Sequence, residues 1–143
     1  MPKLLFDSDR RIYSTMIEVL VSHLNYGNHL GYDSLLSILQ DARMRWLRDN
    51  NMSEVSLEGQ RGYVISEVVV NYKGEGFFGD LLQVSLYPEQ YGRKTFSLKY
   101  QVTNVAKNLL IALAETSHVG FDFERRAIAP LPSSFLSMLG GKD

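Results

Sequence analysis

The chain reads as an α+β domain in which one long helix lies against five antiparallel strands. Only the stretch from Leu35 to Leu47 repeats apolar residues at spacings of three, four and seven, the mark of a helix with one buried face. From Gly62 onward the chain is mostly runs of β-branched and aromatic residues. The links between those runs are short and carry Gly, Pro and Asn, which suits antiparallel neighbours, because parallel ones need longer crossovers.

Residues Ile12 to Leu24 (IYSTMIEVLVSHL) hold β-branched and aromatic residues without Gly or Pro, so a first strand is expected to run up to the following loop. His23, at its end, reads as a strand-end residue bonded to backbone or water, or else as a neighbour of the loop's chemistry. In the loop, Gly27 and Gly31 allow tight backbone, Asn28 and His29 bring donors and acceptors, and Asp33 followed by Ser34 suits a helix cap. A helix beginning there points free amides into a polar loop, an arrangement that stabilises an anion or a polarised carbonyl oxygen. The same residues also suit an ordinary loop and cap.

The helix is expected to run to Arg48, with Leu35, Leu36, Ile38, Leu39, Ala42, Trp46 and Leu47 inward and Asp41, Arg43, Arg45 and Arg48 largely outward. Asp49 to Arg61 is a polar connection. Four strands then follow: Gly62 to Tyr72, Leu81 to Tyr87, Lys94 to Thr103 and Leu109 to Phe123, the last ended by the arginines at 125 and 126 and the prolines of APLPSSF. The terminal SMLGGKD is expected to fray.

With 143 residues and 45% hydrophobic composition, the chain fits a single domain. Fifteen basic against 16 acidic residues leave no global field for nucleic acid or an anionic membrane. No cysteine is present, which removes disulfides, thiol nucleophiles and thiolate metal sites, and three histidines in separate regions do not suggest a metal centre. The first residues lack a long apolar core and no apolar run nears the roughly 18 residues of a membrane span, so a cytoplasmic, soluble protein is expected.

The order of strand, loop, helix and four strands, with NYGNHLGYDSLL at the start of the helix, QDARMRWL within it, VVVNYKGEGFFGDLLQV, YGRKTFSLKYQV and VGFDFERRAIAPLP, resembles the hotdog-fold acyl-CoA thioesterases related to 4-hydroxybenzoyl-CoA thioesterase. The resemblance covers residues 11 to 132. It implies a five-stranded antiparallel sheet wrapped around the helix, a homodimer or homotetramer with sites between subunits, an acyl-CoA or acyl-carrier thioester as substrate, and no cofactor beyond the substrate's own CoA. The thioester carbonyl would sit at the start of the helix, with a carboxylate acting as nucleophile or as base toward water.

Many members carry an aspartate where this chain has Asn25, and an amide lacks a carboxylate's basicity. Asn25 is left to orient water or donate to the carbonyl, with Asp33, Asp41 or a partner's residue as the base. His29 matches the family's loop histidine, either polarising the carbonyl or holding the loop. Gly31 and neighbouring backbone N–H groups are expected to stabilise the oxyanion. Many members have asparagine where this chain has Tyr32. Tyr26, Asn28 and Leu30 are expected to bind the substrate or its CoA, Phe77 and Phe78 to line the acyl or pantetheine channel or else anchor the loop, and Arg93 and Lys94 to meet the CoA phosphates. Hydrolysis is the leading expectation, and an acyl-thioester binding protein without catalysis is the alternative. A hydratase or dehydratase of the same fold fits less well, for no loop here matches those enzymes' acid and histidine pairing.

Overall fold

The structure, a computed structural model, describes residues 10–140. Its strands are β1 (Tyr13–Glu18), β2 (Arg61–Tyr72), β3 (Leu81–Tyr91), β4 (Thr95–Asn104), β5 (Leu109–Asp122) and the short β6 (Ala127–Ile128), with helices α1 (Tyr32–Arg48) and α2 (Ser133–Met138). They form one sheet in the order β1-β3-β4-β5-β2, with β6 beside β5 and every pairing antiparallel. One long helix against this sheet is the hotdog fold.

Four sequence expectations change. The first strand stops at Glu18, and a single 3₁₀ turn over Val21–His23 leads into the loop, because β3 offers β1 no partner before Leu81. β3 runs through Pro88 to Tyr91; Pro88 lies beyond the last residue paired with β1, where a missing N–H costs no ladder bond. β2 does not pair with β3, the next strand in the chain, but crosses to the far edge beside β5. The end of the chain does not fray at Ser137–Gly140: α2 packs Phe135 into the core, Leu139 just after the helix is buried too, and Gly141–Asp143 lie outside the described residues.

The core is the space between α1 and the inner sheet face. Leu35, Ile38, Leu39, Ala42, Trp46 and Leu47 meet Leu82, Val84 and Leu86 of β3, Phe96, Leu98, Tyr100 and Val102 of β4, and Ala112 and Ala114 of β5. Burying each large aliphatic side chain stabilises the fold by about 1.5–3 kcal/mol. Leu36, expected inward, is exposed.

Arg43 departs further from expectation, because it is buried between helix and sheet. Its Nε donates to Glu54 at 2.7 Å and its Nη1 to the Tyr100 hydroxyl at 3.0 Å. Tyr63 donates to the same Glu54 carboxylate. From Tyr100 the chain of bonds runs through Thr116 (2.6 Å) to His118 Nε2 (2.7 Å). Helical periodicity counts every charged residue as outward, and no local signal marked the carboxylate that lets Arg43 turn inward.

Burial is the main cause that pushes His118 down to about 3, with the charge of Arg43 adding to it, so the imidazole is neutral. Burial works against the charge on Arg43 as well, but Tyr100, Glu54 and Tyr63 outweigh it and hold the guanidinium above its ordinary value.

Candidate active site

Loop 24–31 is a closed knot of short-range bonds. Leu24 bridges Leu30, the Asn25 amide donates to the His29 carbonyl at 3.0 Å, and the Asn28 amide donates to the Asn25 carbonyl at 3.0 Å. Asn28 takes a left-handed backbone (φ 62°), a conformation asparagine tolerates. The Asn25 Oδ1 accepts from the amides of Gly27 (2.9 Å) and His29 (3.4 Å). A Cβ on Gly27 would stand 2.9 Å from His29 Nε2, so the imidazole would have to shift to admit one.

The cap differs from the expected one. Gly31 is the N-cap residue and no side chain caps the helix, so Asp33 lies in the first turn. The Gly31 amide donates to the His23 carbonyl at 2.9 Å, and is therefore already engaged. His23 owes its place to a backbone role, while its Nδ1 accepts from the Leu20 amide at 2.9 Å. Leu35 is the first residue to bond back into the helix, to the Gly31 carbonyl at 3.1 Å. The amides of Tyr32, Asp33 and Ser34 thus form the helix end without intrahelical acceptors.

Opposite them lies the Lys73–Asp80 connection. Because β2 and β3 are separated by β4 and β5, this loop crosses roughly 14 Å over the end of the sheet and passes the start of α1. It is pinned on both sides. The amides of Lys73 (2.9 Å) and Gly74 (3.1 Å) both donate to the carbonyl of Ile111, the residue skipped where β4 and β5 shift register. The Leu30 amide donates to the Gly76 carbonyl at 2.7 Å, and Asp80 accepts from the Phe77 amide at 2.9 Å.

A cavity of about 250 Å³ opens between loop and helix, lined by His29, Tyr32, Leu35, Tyr72, Glu75 and Ile111 among others. His29 Nε2 stands 4.0 Å from Glu75 Oε2, and its ring meets the edge of Phe77 at 6.4 Å between centroids. Tyr72 donates to the Tyr32 carbonyl at 3.0 Å and the two rings pack at 4.5 Å. Burial, reinforced by Tyr32 and Asp33, raises the Tyr72 phenol above its ordinary value.

Asn25 and Asp33 face a second cavity of about 400 Å³, with Ser22, Leu24, Tyr26 and Ser34. Tyr26 is fully exposed, Leu30 is buried against Gly76, and Phe77 and Phe78 are exposed on the crossing loop. Asp41 is tied to Arg45 at 2.8 and 3.5 Å. Arg93 and Lys94 are not brought to this end: Thr95 pairs with Val119 of β5 whereas Tyr72 pairs with Ala112, roughly 23 Å away along the strand. Arg93 lines a separate cavity of about 600 Å³ beside Glu58, Arg61 and Leu131.

Tyr72 and Glu75 reach the cavity from the same chain as His29. The signal for Glu75 was the glycine on each side of it. Among the described residues no group of three His, Asp or Glu side chains could hold a metal ion, and no helix is long and apolar enough to cross a membrane.

The sequence also places the chain in a known family. It matches the thioesterase-like superfamily over residues 19–139, and the chain belongs to that family. No curated protein matches it. Among solved structures it is similar to a 1,4-dihydroxy-2-naphthoyl-CoA thioesterase from Synechocystis, with TM-score 0.81, 20% identity, and coverage of 90% of this chain and 95% of that one. A gentisyl-coenzyme A thioesterase is similar with TM-score 0.77, 18% identity, and coverage of 89% and 99%. A 12:0-ACP thioesterase from Umbellularia californica is similar with TM-score 0.74 and 10% identity, covering 90% of this chain and 49% of that one.

Proposed function

We propose that this chain hydrolyses acyl thioesters, acyl-CoA foremost, by water attack on a carbonyl held at the start of α1. The observation that carries the reading is the set of helix amides at Tyr32, Asp33 and Ser34, which lack intrahelical acceptors: Tyr32 lines the cavity holding His29, while Asp33 and Ser34 line the one that holds Asn25. Of the Gly31 and neighbouring N–H groups that sequence reading gave the oxyanion role, the neighbours keep it, because the Gly31 amide is engaged with the His23 carbonyl. Asn25 keeps the loop closed with its Oδ1, leaving its Nδ2 as the group that can meet a ligand. His29 contacts the reacting centre, and Asp33 shapes the side facing Asn25.

A second copy sets its β2 against the open edge of β2, where Val64, Ile65 and Val68 are exposed, and the acyl or pantetheine channel runs between subunits past Tyr26, Phe77 and Phe78. In such a dimer Arg93 and Lys94 meet the nucleotide phosphates of a substrate bound to the partner. The compartment fitting this substrate is the cytoplasm.

Thiol release from short, medium, long and aromatic acyl-CoAs, and from acyl-carrier protein thioesters, tests the reading. Turnover on at least one is expected. Folded protein that releases thiol from none overturns it. The engaged Oδ1 of Asn25 favours one second reading, a protein that binds acyl thioesters without cleaving them. On that reading the unaltered protein binds but does not turn over, and Asn25→Asp creates hydrolysis.

A further inference from the structure

We infer that Glu75 is the general base of this hydrolysis, removing a proton from a water that His29 Nε2 helps to hold. The inference rests on the hydrolase reading above and supplies the carboxylate that Asn25 cannot. Neutral water needs a proton acceptor as it attacks a thioester, and a well-placed one contributes on the order of 10²–10⁴ in rate.

The other acidic side chains near the helix are committed or lie on another face. Asp41 is paired with Arg45 at 2.8 Å. Asp80 accepts from the Phe77 amide and pairs with Lys107 at 3.4 Å. Asp33 folds over Gly31, its Oδ1 3.0 Å from where a Cβ on that glycine would stand, and faces the Asn25 cavity. In the cavity that holds His29, Glu75 is the one carboxylate among the described lining residues.

Glu75 is exposed, with 64% of its side chain open to solvent, yet its backbone is held. Ile111 clasps the two amides before it, and the Gly76 carbonyl after it takes the Leu30 amide. A Cβ on Gly74 would stand 2.7 Å from the Leu110 carbonyl oxygen, and one on Gly76 would stand 3.3 Å from Leu30 Cβ. Between two positions that leave little or no room for a side chain, Glu75 is presented at the mouth of the pocket. The 4.0 Å between His29 Nε2 and Glu75 Oε2 is too long for a direct hydrogen bond, but it leaves a point about 2.8 Å from both atoms, where one water can be gripped.

In the reaction the water oxygen bonds to the carbonyl carbon, its proton passes to Glu75, and the carbonyl π electrons move onto the oxygen facing the Tyr32 amide at the start of α1. When the carbonyl re-forms, the carbon–sulfur bond breaks. The sulfur leaves with the bonding pair and takes the proton from Glu75, so that one water yields one carboxylic acid and one thiol, and Glu75 is ionised again.

Steady-state kinetics of Glu75→Gln and Glu75→Ala on whichever acyl-CoA the unaltered protein cleaves fastest test the assignment. Expected are a kcat about 100-fold lower or worse, a KM within about threefold, an unchanged thermal melt, and partial recovery of Glu75→Ala by added formate. If Glu75→Gln keeps a third or more of kcat, the inference falls while the hydrolase reading stands. If activity is lost but formate restores none of it, Glu75 is structural and the inference is again overturned. If the unaltered protein cleaves no thioester, the hydrolase reading and this assignment fall together.

Discussion

Replacing Glu54 by Leu strips the carboxylate from an arginine that cannot turn to water. Arg43 is only 4% exposed and its partner 18%, at 2.7 Å, so the guanidinium would stay buried with just the Tyr100 hydroxyl to receive it. Removing one member of such a pair costs about 3–5 kcal/mol. For a domain of this size, each kcal/mol moves the midpoint by about 2–4 °C, which places the expected fall in melting temperature near 12 °C. Arg43→Leu should cost less, about 2–3 kcal/mol, because Glu54 has more solvent to turn to. The double replacement should then cost no more than Glu54→Leu alone. Urea unfolding of the three variants measures the cycle, with a coupling of about 2 kcal/mol expected. Single effects that add to within about 0.5 kcal/mol would refute the claim that the pair works as a unit.

Three further outcomes follow from the packing. His118, pushed down to about 3 in the folded chain against 6.5 unfolded, contributes stability that is complete above pH 6.5 and is lost as pH falls toward 3. Urea unfolding at pH 6.5 and pH 5 should differ by about 2 kcal/mol from this residue, and His118→Gln should remove that part of the dependence. A Cβ on Gly120 would overlap the Ala129 carbonyl oxygen, so Gly120→Ala is expected to cost about 1–3 kcal/mol in the same assay. Phe135, 0% exposed, packs against Trp46 at 5.8 Å and Phe96 at 4.9 Å, so Phe135→Ala should cost about 3–5 kcal/mol by thermal melt.

The helix and the strand runs were legible because periodicity reports a local preference directly, and β2, β4 and β5 fall within a residue or so of their expected bounds. What the sequence hid depends on distant neighbours. β1 looks long by composition, but its length is set by how much of β3 is available to pair. Arg43 looks like a surface residue until Glu54 and Tyr100 are brought to it. At the site, the loop and His29 were visible as a motif. The engagement of the Gly31 amide and the approach of Glu75 were not, for both depend on backbone bonds to His23, Ile111 and Leu30, which leave no mark in residue type.

The inner charge network sits past the middle of α1, whereas the cavities that would meet a ligand gather at its first turn. That separation divides labour along one rod. Substitutions around the first turn can reshape those cavities while the fold keeps its margin, so the shape of that end is free to drift quickly on a slowly changing frame.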